Sequence, residues 1–137
     1  VSVVQLPSHF VPTHETAGLP GFPAIDVFAP AHTIVCSPAT GRIVKLSGHA
    51  PTPTAKPGGP YGWSIYLTVD KAHLPPSGGT FYLTHFGTRS PLVQLGVCVG
   101  RGEVLGIVAD YSHATGGTTP DHIHEGFHRG AWQPPPL

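Results

Sequence analysis

The segment PDHIHEGFH, residues 120–128, carries three histidines in nine residues. Imidazole is the commonest metal ligand and the only side chain whose unperturbed pKa lies near neutrality. Such a stretch can hold a metal, move a proton, or simply present a polar face. Spacing narrows the choice. On a strand, His122 and His124 project from one face with their Cβ atoms roughly 6–7 Å apart. One ring can then bind a metal while the other reaches a bound water or substrate. The H-x-H pair alone is a weak signal, because a solvated sheet face looks the same, so partners must come from elsewhere in the chain.

Three distant segments offer them. Asp26 stands among Ala24, Ile25, Val27 and Phe28 in GFPAIDVFAP. A carboxylate in apolar surroundings must be paired, hydrogen-bonded or metal-bound. His14 precedes it by twelve residues, across a stretch whose Gly and Pro residues allow the chain to loop back. His85 lies near the end of the alternating segment GTFYLTHFG. Two histidines and one carboxylate leave a fourth tetrahedral position open, as in catalytic zinc sites; structural sites are usually closed by four protein ligands. Zinc polarises a carbonyl and acidifies water, and a further histidine shuttles protons, a combination that fits peptide-bond hydrolysis. His9, His32, His49, His73 and His113 stand in turn-like or polar contexts and read as surface residues.

The elements that must position these groups are short. Gly 18 and Pro 17 in 137 residues, without a collagen period, imply many turns and short strands. No segment shows a helical period. TIVCSP and GRIVKLSG are β-branched runs separated by the turn signal PATG. GWSIYLTVD alternates, with Trp63, Ile65, Leu67 and Val69 on one face and Ser64, Tyr66 and Thr68 on the other. PLVQLGVCVGRGEVLGIVAD contains two more short runs, and DHIHEGFH is the last strand. Residues 49–62 and 111–121 are breaker-rich loops, of the kind that build a groove on a β scaffold. The length is that of one domain, 1–137, mainly β with little or no helix.

Bulk composition excludes several roles. Lys+Arg 7 balances Asp+Glu 7, so no net charge draws nucleic acid or an anionic membrane. No apolar run approaches the roughly 20 residues that insert across a bilayer. With 39% hydrophobic residues, general disorder is not expected. Residue 1 is Val and methionine is absent, which suggests a processed product or an excised domain, with QPPPL as the start of a linker. Cys36 and Cys98 fit either two buried thiols or one disulfide between neighbouring strands; the extracellular setting suggested by the histidine chemistry favours the bridge.

The order His14, Asp26, His85 in YLTHFG, then His122-Ile123-His124 resembles the lysostaphin-type zinc metallopeptidases, which cut peptide bonds in bacterial cell walls. PAIDVFAPAHTIVCSPATGRIV and LGVCVGRGEVLGIV resemble further segments of that family, so the likeness covers most of the chain. It implies an antiparallel β-sheet with a narrow, loop-walled groove and one zinc per chain. It implies His14, Asp26 and His124 as zinc ligands. His122 would be a general base or water-polarising group, and His85 would stabilise the oxyanion or orient water. Tyr66, Tyr61 and Arg89 flank the long loop or His85 and are candidates for substrate contact. The partner would be peptidoglycan, met by a monomeric domain outside the cell, from a secreted bacterial autolysin or a phage lysin or tail protein. The bond cut is left open, because glycine-bridge cleavage and cleavage of bonds involving D-alanine and diaminopimelate use the same zinc core. One departure stands out. The family spaces its first two ligands as His-x-x-x-Asp, whereas eleven residues separate His14 from Asp26, and His9 competes for the first position. Glu125-Gly126 also replaces the apolar-acidic pair expected after H-x-H. A non-catalytic scaffold of the same fold, binding wall peptide or a protein, is the alternative; a metal-storing or carbohydrate-binding β-domain is a third.

Overall fold

The computed structural model describes residues 2–57 and 59–134. Among these residues ten strands and one helical turn follow in order. They are β1 Val3–Gln5, β2 His14–Glu15, β3 Pro23–Phe28, β4 Ile34–Cys36, β5 Gly41–Gly48, β6 Trp63–Val69, β7 Gly79–Arg89, β8 Cys98–Val99, β9 Val104–Val108, α1 Tyr111–Ala114 and β10 His122–Arg129. All belong to one curled sheet with the path β1-β4-β9-β7-β10-β3-β2; β6 pairs with β7 and β5, and β8 pairs with β5.

β7 organises the sheet. Residues 79–84 pair with β10, residues 79–86 pair with β6, and residues 86–89 turn to β9. A strand that exchanges one neighbour for another along its length cannot lie flat, so the sheet curls around its apolar side. Ile65, Leu67 and Val69 of β6 face that core, as their alternation predicts, with Phe81, Leu83, Phe86, Leu105 and Ile123. The opposite face of β6 is covered too. Tyr66 is buried beneath Trp132, whose ring stacks on it at 5.1 Å and 2°.

Two expectations need correction. The sheet is mixed, not wholly antiparallel, because β1 pairs parallel to β4. A parallel pair needs a long crossover, and the intervening chain, which makes β2 and β3, supplies it. Cys36 and Cys98 are both free thiols. β4 lies between β1 and β9 while β8 lies beside β5, so the two cysteines are not on neighbouring strands. Little helix is present, as expected: the loop 111–121 opens with the single turn α1, where the Asp110 carboxylate accepts from the His113 N–H. Four residues are too few to display a period in the sequence. Of the tail QPPPL, only Gln133 and Pro134 fall within the described residues. No described helix is long and apolar enough to cross a membrane.

Candidate metal centre

Register builds the site. In the β3–β10 ladder Asp26 lies directly opposite His124, and on the other side of β10 His124 lies opposite Thr84. Directly opposed residues of an antiparallel pair share a face, so these three side chains project together. His122, two residues before His124, joins them. His14 pairs with Ala24, two residues before Asp26, and so reaches the same face from β2.

The eleven residues between His14 and Asp26 therefore form a fold-back, not an interruption. Thr16 N–H donates to the Phe22 carbonyl at 3.1 Å, and Gly18 and Gly21 take φ of 73° and 82° in the turn. Glycine enters that left-handed region without the Cβ penalty. The hairpin leaves His14 Nε2 3.4 Å from Asp26 Oδ1. His9, the competing residue, lines a separate cavity with Phe10 and His128.

His14, Asp26 and His124 form a group that can hold a metal ion. Their donor atoms make a small triangle: His14 Nε2 to Asp26 Oδ1 3.4 Å, His14 Nε2 to His124 Nδ1 3.4 Å, and His124 Nδ1 to Asp26 Oδ1 3.7 Å. A tetrahedral ion with bonds of about 2.0–2.1 Å needs ligand atoms roughly 3.4 Å apart. Two imidazoles and a carboxylate also suit zinc chemically.

The remaining two histidines differ in how they are held. His122 Nδ1–H donates to the Pro120 carbonyl at 2.8 Å, which turns Nε2 toward Asp26 Oδ1 at 3.6 Å. His85 Nδ1–H donates to the Tyr61 carbonyl at 2.8 Å. Its ring centroid is 4.8 Å from that of His122. Burial pushes His85 down to about 4, against the opposing Tyr61 hydrogen bond, so the ring is neutral at neutral pH.

A backbone irregularity brings His85 here. In a regular strand Thr84 and His85 would face opposite sides, yet both line the cleft. The β6 register runs from Ser64 opposite Thr84 to Trp63 opposite Phe86, leaving His85 as the extra residue of a bulge. Its φ is 79°, in the left-handed region. Bulges re-aim side chains in this way. The bulge falls where β7 leaves β10 and takes up β9.

The cleft above the group has a volume of about 380 Å³, and its lining includes Glu15, Thr16, Tyr82, Thr84, Tyr111 and Thr119 besides the histidines and Asp26. Tyr82 and Tyr111 are not among the site residues the sequence motifs point to, although Tyr82, two residues before Thr84 in an alternating strand, is legible there. The three residues proposed from sequence for substrate contact are placed elsewhere. Tyr66 lies under Trp132 and Phe22. Tyr61 is buried and stacked on Tyr111 at 4.8 Å, and contributes only its carbonyl to His85. Arg89 lies over Trp63 at 4.6 Å, donates to the Ser47 and Ser64 carbonyls, and lines a different depression. His128 shares a face with His124, but Phe22 packs against it at 5.4 Å and the hairpin crosses the strand between them at Gly126.

Fold and site together define a mixed β-sheet protein with a three-ligand candidate metal centre on the floor of an open cleft. No family model, no curated protein and no solved structure matches the chain.

Proposed function

We propose that the chain is a zinc-dependent endopeptidase that hydrolyses peptide bonds in peptidoglycan stem peptides or cross-links. The observation that carries the reading is the triangle of His14 Nε2, Asp26 Oδ1 and His124 Nδ1, with edges near those of a tetrahedral zinc site, beside two further histidines in the same cleft. When bound, zinc supplies an acidified water and polarises the scissile carbonyl.

The rest follows from the side chains. The Pro120 carbonyl holds His122 as the Nδ1–H tautomer, so Nε2 offers a lone pair beside Asp26. That atom takes a proton from the attacking water and returns it to the leaving amine. The Tyr61 carbonyl holds His85 the same way, so its Nε2 is an acceptor that orients the water's second hydrogen. Among the described residues lining the cleft none is Lys or Arg. No cation there claims a terminal carboxylate, which favours cleavage within a chain. The peptidoglycan substrate and an extracellular setting, bacterial or phage, rest on the resemblance of the motifs around His14, Asp26, His85 and His122-Ile123-His124 to the lysostaphin-type enzymes.

The test is direct. Zinc content should be near one per chain and vanish in Asp26→Ala, while His85→Ala and His122→Ala keep zinc and lose release of new amino groups from peptidoglycan. A wild type that binds zinc but releases no amino groups from peptidoglycans of either cross-link chemistry would make the chain a binding scaffold instead.

A further inference from the structure

We infer that Thr16 is a positioning residue of the metal centre, its hydroxyl fixing His124 as a ligand through Nδ1. The inference rests on the metal reading of His14, Asp26 and His124. It starts from a proton count. A threonine hydroxyl has one proton and two acceptor lone pairs. Thr16 Oγ1 donates its proton to the Phe22 carbonyl at 2.8 Å. Toward His124 Nε2, 2.7 Å away, the same oxygen can only accept. Nε2 therefore carries the hydrogen, and Nδ1 is left with a lone pair facing Asp26 and His14. A neutral imidazole binds a metal only through its unprotonated nitrogen. Thr16 thus selects which nitrogen is available and fixes the rotation of the ring.

The arrangement is buried and closely fitted. Thr16 is 8% exposed and His124 9%. Thr16 reaches His124 because residue 126 is glycine: a Cβ at that position would lie 2.8 Å from Thr16 Oγ1 and 3.3 Å from Phe22 Cβ. This gives a physical reason for Gly126 after H-x-H. It also gives the fold-back between His14 and Asp26 a second role. Besides returning the chain, it carries the hydroxyl that orients a ligand on the far strand.

Two measurements test this on the full chain. The first is the tautomer of His124 in metal-free protein, read from ring nitrogen chemical shifts by NMR. The second is Co²⁺ affinity, read from its ligand-field absorption. Wild type should show Nε2–H alone. Thr16→Val keeps the branched shape without the hydroxyl; it should mix the tautomers and weaken Co²⁺ binding about 10- to 100-fold, the usual effect of losing such a partner. Thr16→Ser should restore both. Gly126→Ala leaves Thr16 in place but crowds its hydroxyl, and should shift both readouts in the direction of Thr16→Val. It carries the test if Thr16→Val does not fold. If Thr16 only staples the hairpin, folded Thr16→Val keeps the wild-type tautomer and binds Co²⁺ as wild type does, and the inference is overturned. If wild type itself binds no Co²⁺, the metal reading fails, and the tautomer of the metal-free protein still decides whether Thr16 orients His124.

Discussion

Glu125 makes the sharpest stability prediction. It follows His124 on β10, so its side chain points away from the cleft, to the core side. It is 0% exposed, and neither carboxylate oxygen has a hydrogen-bond partner among the described residues. Burial pushes its pKa from an ordinary 4.5 up to about 9. The folded protein therefore keeps a proton that the unfolded chain releases above pH 4.5. The contribution to stability is full below that value and falls as pH rises, until the folded form also ionises near pH 9. Each pH unit in the window removes about 1.4 kcal/mol, so pH 8 lies roughly 4–5 kcal/mol below pH 4.5 from this one group. That is a large share of the roughly 5–15 kcal/mol that holds a domain folded. Glu125→Gln keeps the shape and abolishes the titration. Urea unfolding of zinc-free protein, at pH values from 5 to 9, should give a stability difference between variant and wild type that grows by about 1.4 kcal/mol per pH unit. Metal is left out because any metal binding would depend on pH in its own right. Parallel stability curves for the two proteins across this range would refute the reasoning.

Further outcomes are expected. His122→Ala should lower kcat by about 10²- to 10⁴-fold, the usual worth of a general base, with zinc content unchanged by atomic absorption. Because His85 holds φ of 79°, His85→Gly should unfold at higher urea concentration than His85→Ala, by roughly 1 kcal/mol, with both inactive. His85 titrates at about 4 in the folded protein against an ordinary 6.5. Its stability contribution is present above pH 6.5 and lost as pH falls toward 4, so His85→Gln should flatten the acid limb of the stability profile. Arg89→Ala removes donors from the Ser47 and Ser64 carbonyls and should cost about 1–2 kcal/mol, while KM for peptidoglycan fragments stays at the wild-type value.

The sequence carried much of the frame. The alternation in GWSIYLTVD is a sound guide because β6 sits between two partners and buries Ile65, Leu67 and Val69 on one side. The same logic holds for the H-x-H strand, where a period of two decides which face each histidine takes. What was illegible depends on register between distant segments. No residue type announces that His124 will stand opposite Asp26, or that Thr16 will meet His124 across 108 positions. The bulge at His85 carries no Gly or Pro marker, because the left-handed φ is taken by the histidine itself. Tyr66 reads as groove-facing because it sits on the polar side of its strand; Trp132, from the other end of the chain, covers it. The parallel β1 strand is three residues long, too short for a pattern to appear.

The hairpin that delivers His14 ends the sheet on a short ladder. β2 is an edge strand of two residues, joined to the sheet through two register pairs with β3. An ion gripped by His14, Asp26 and His124 would knot this edge to the final strand, tying together positions 110 residues apart. Peeling of the hairpin and escape of such an ion would then become one event. Whatever loosens β2, a protease reaching the Gly18–Gly21 turn included, would open the route by which the ion leaves. The lifetime of a loaded site would be set by that edge's fraying, and occupancy would in turn protect the edge from being cut.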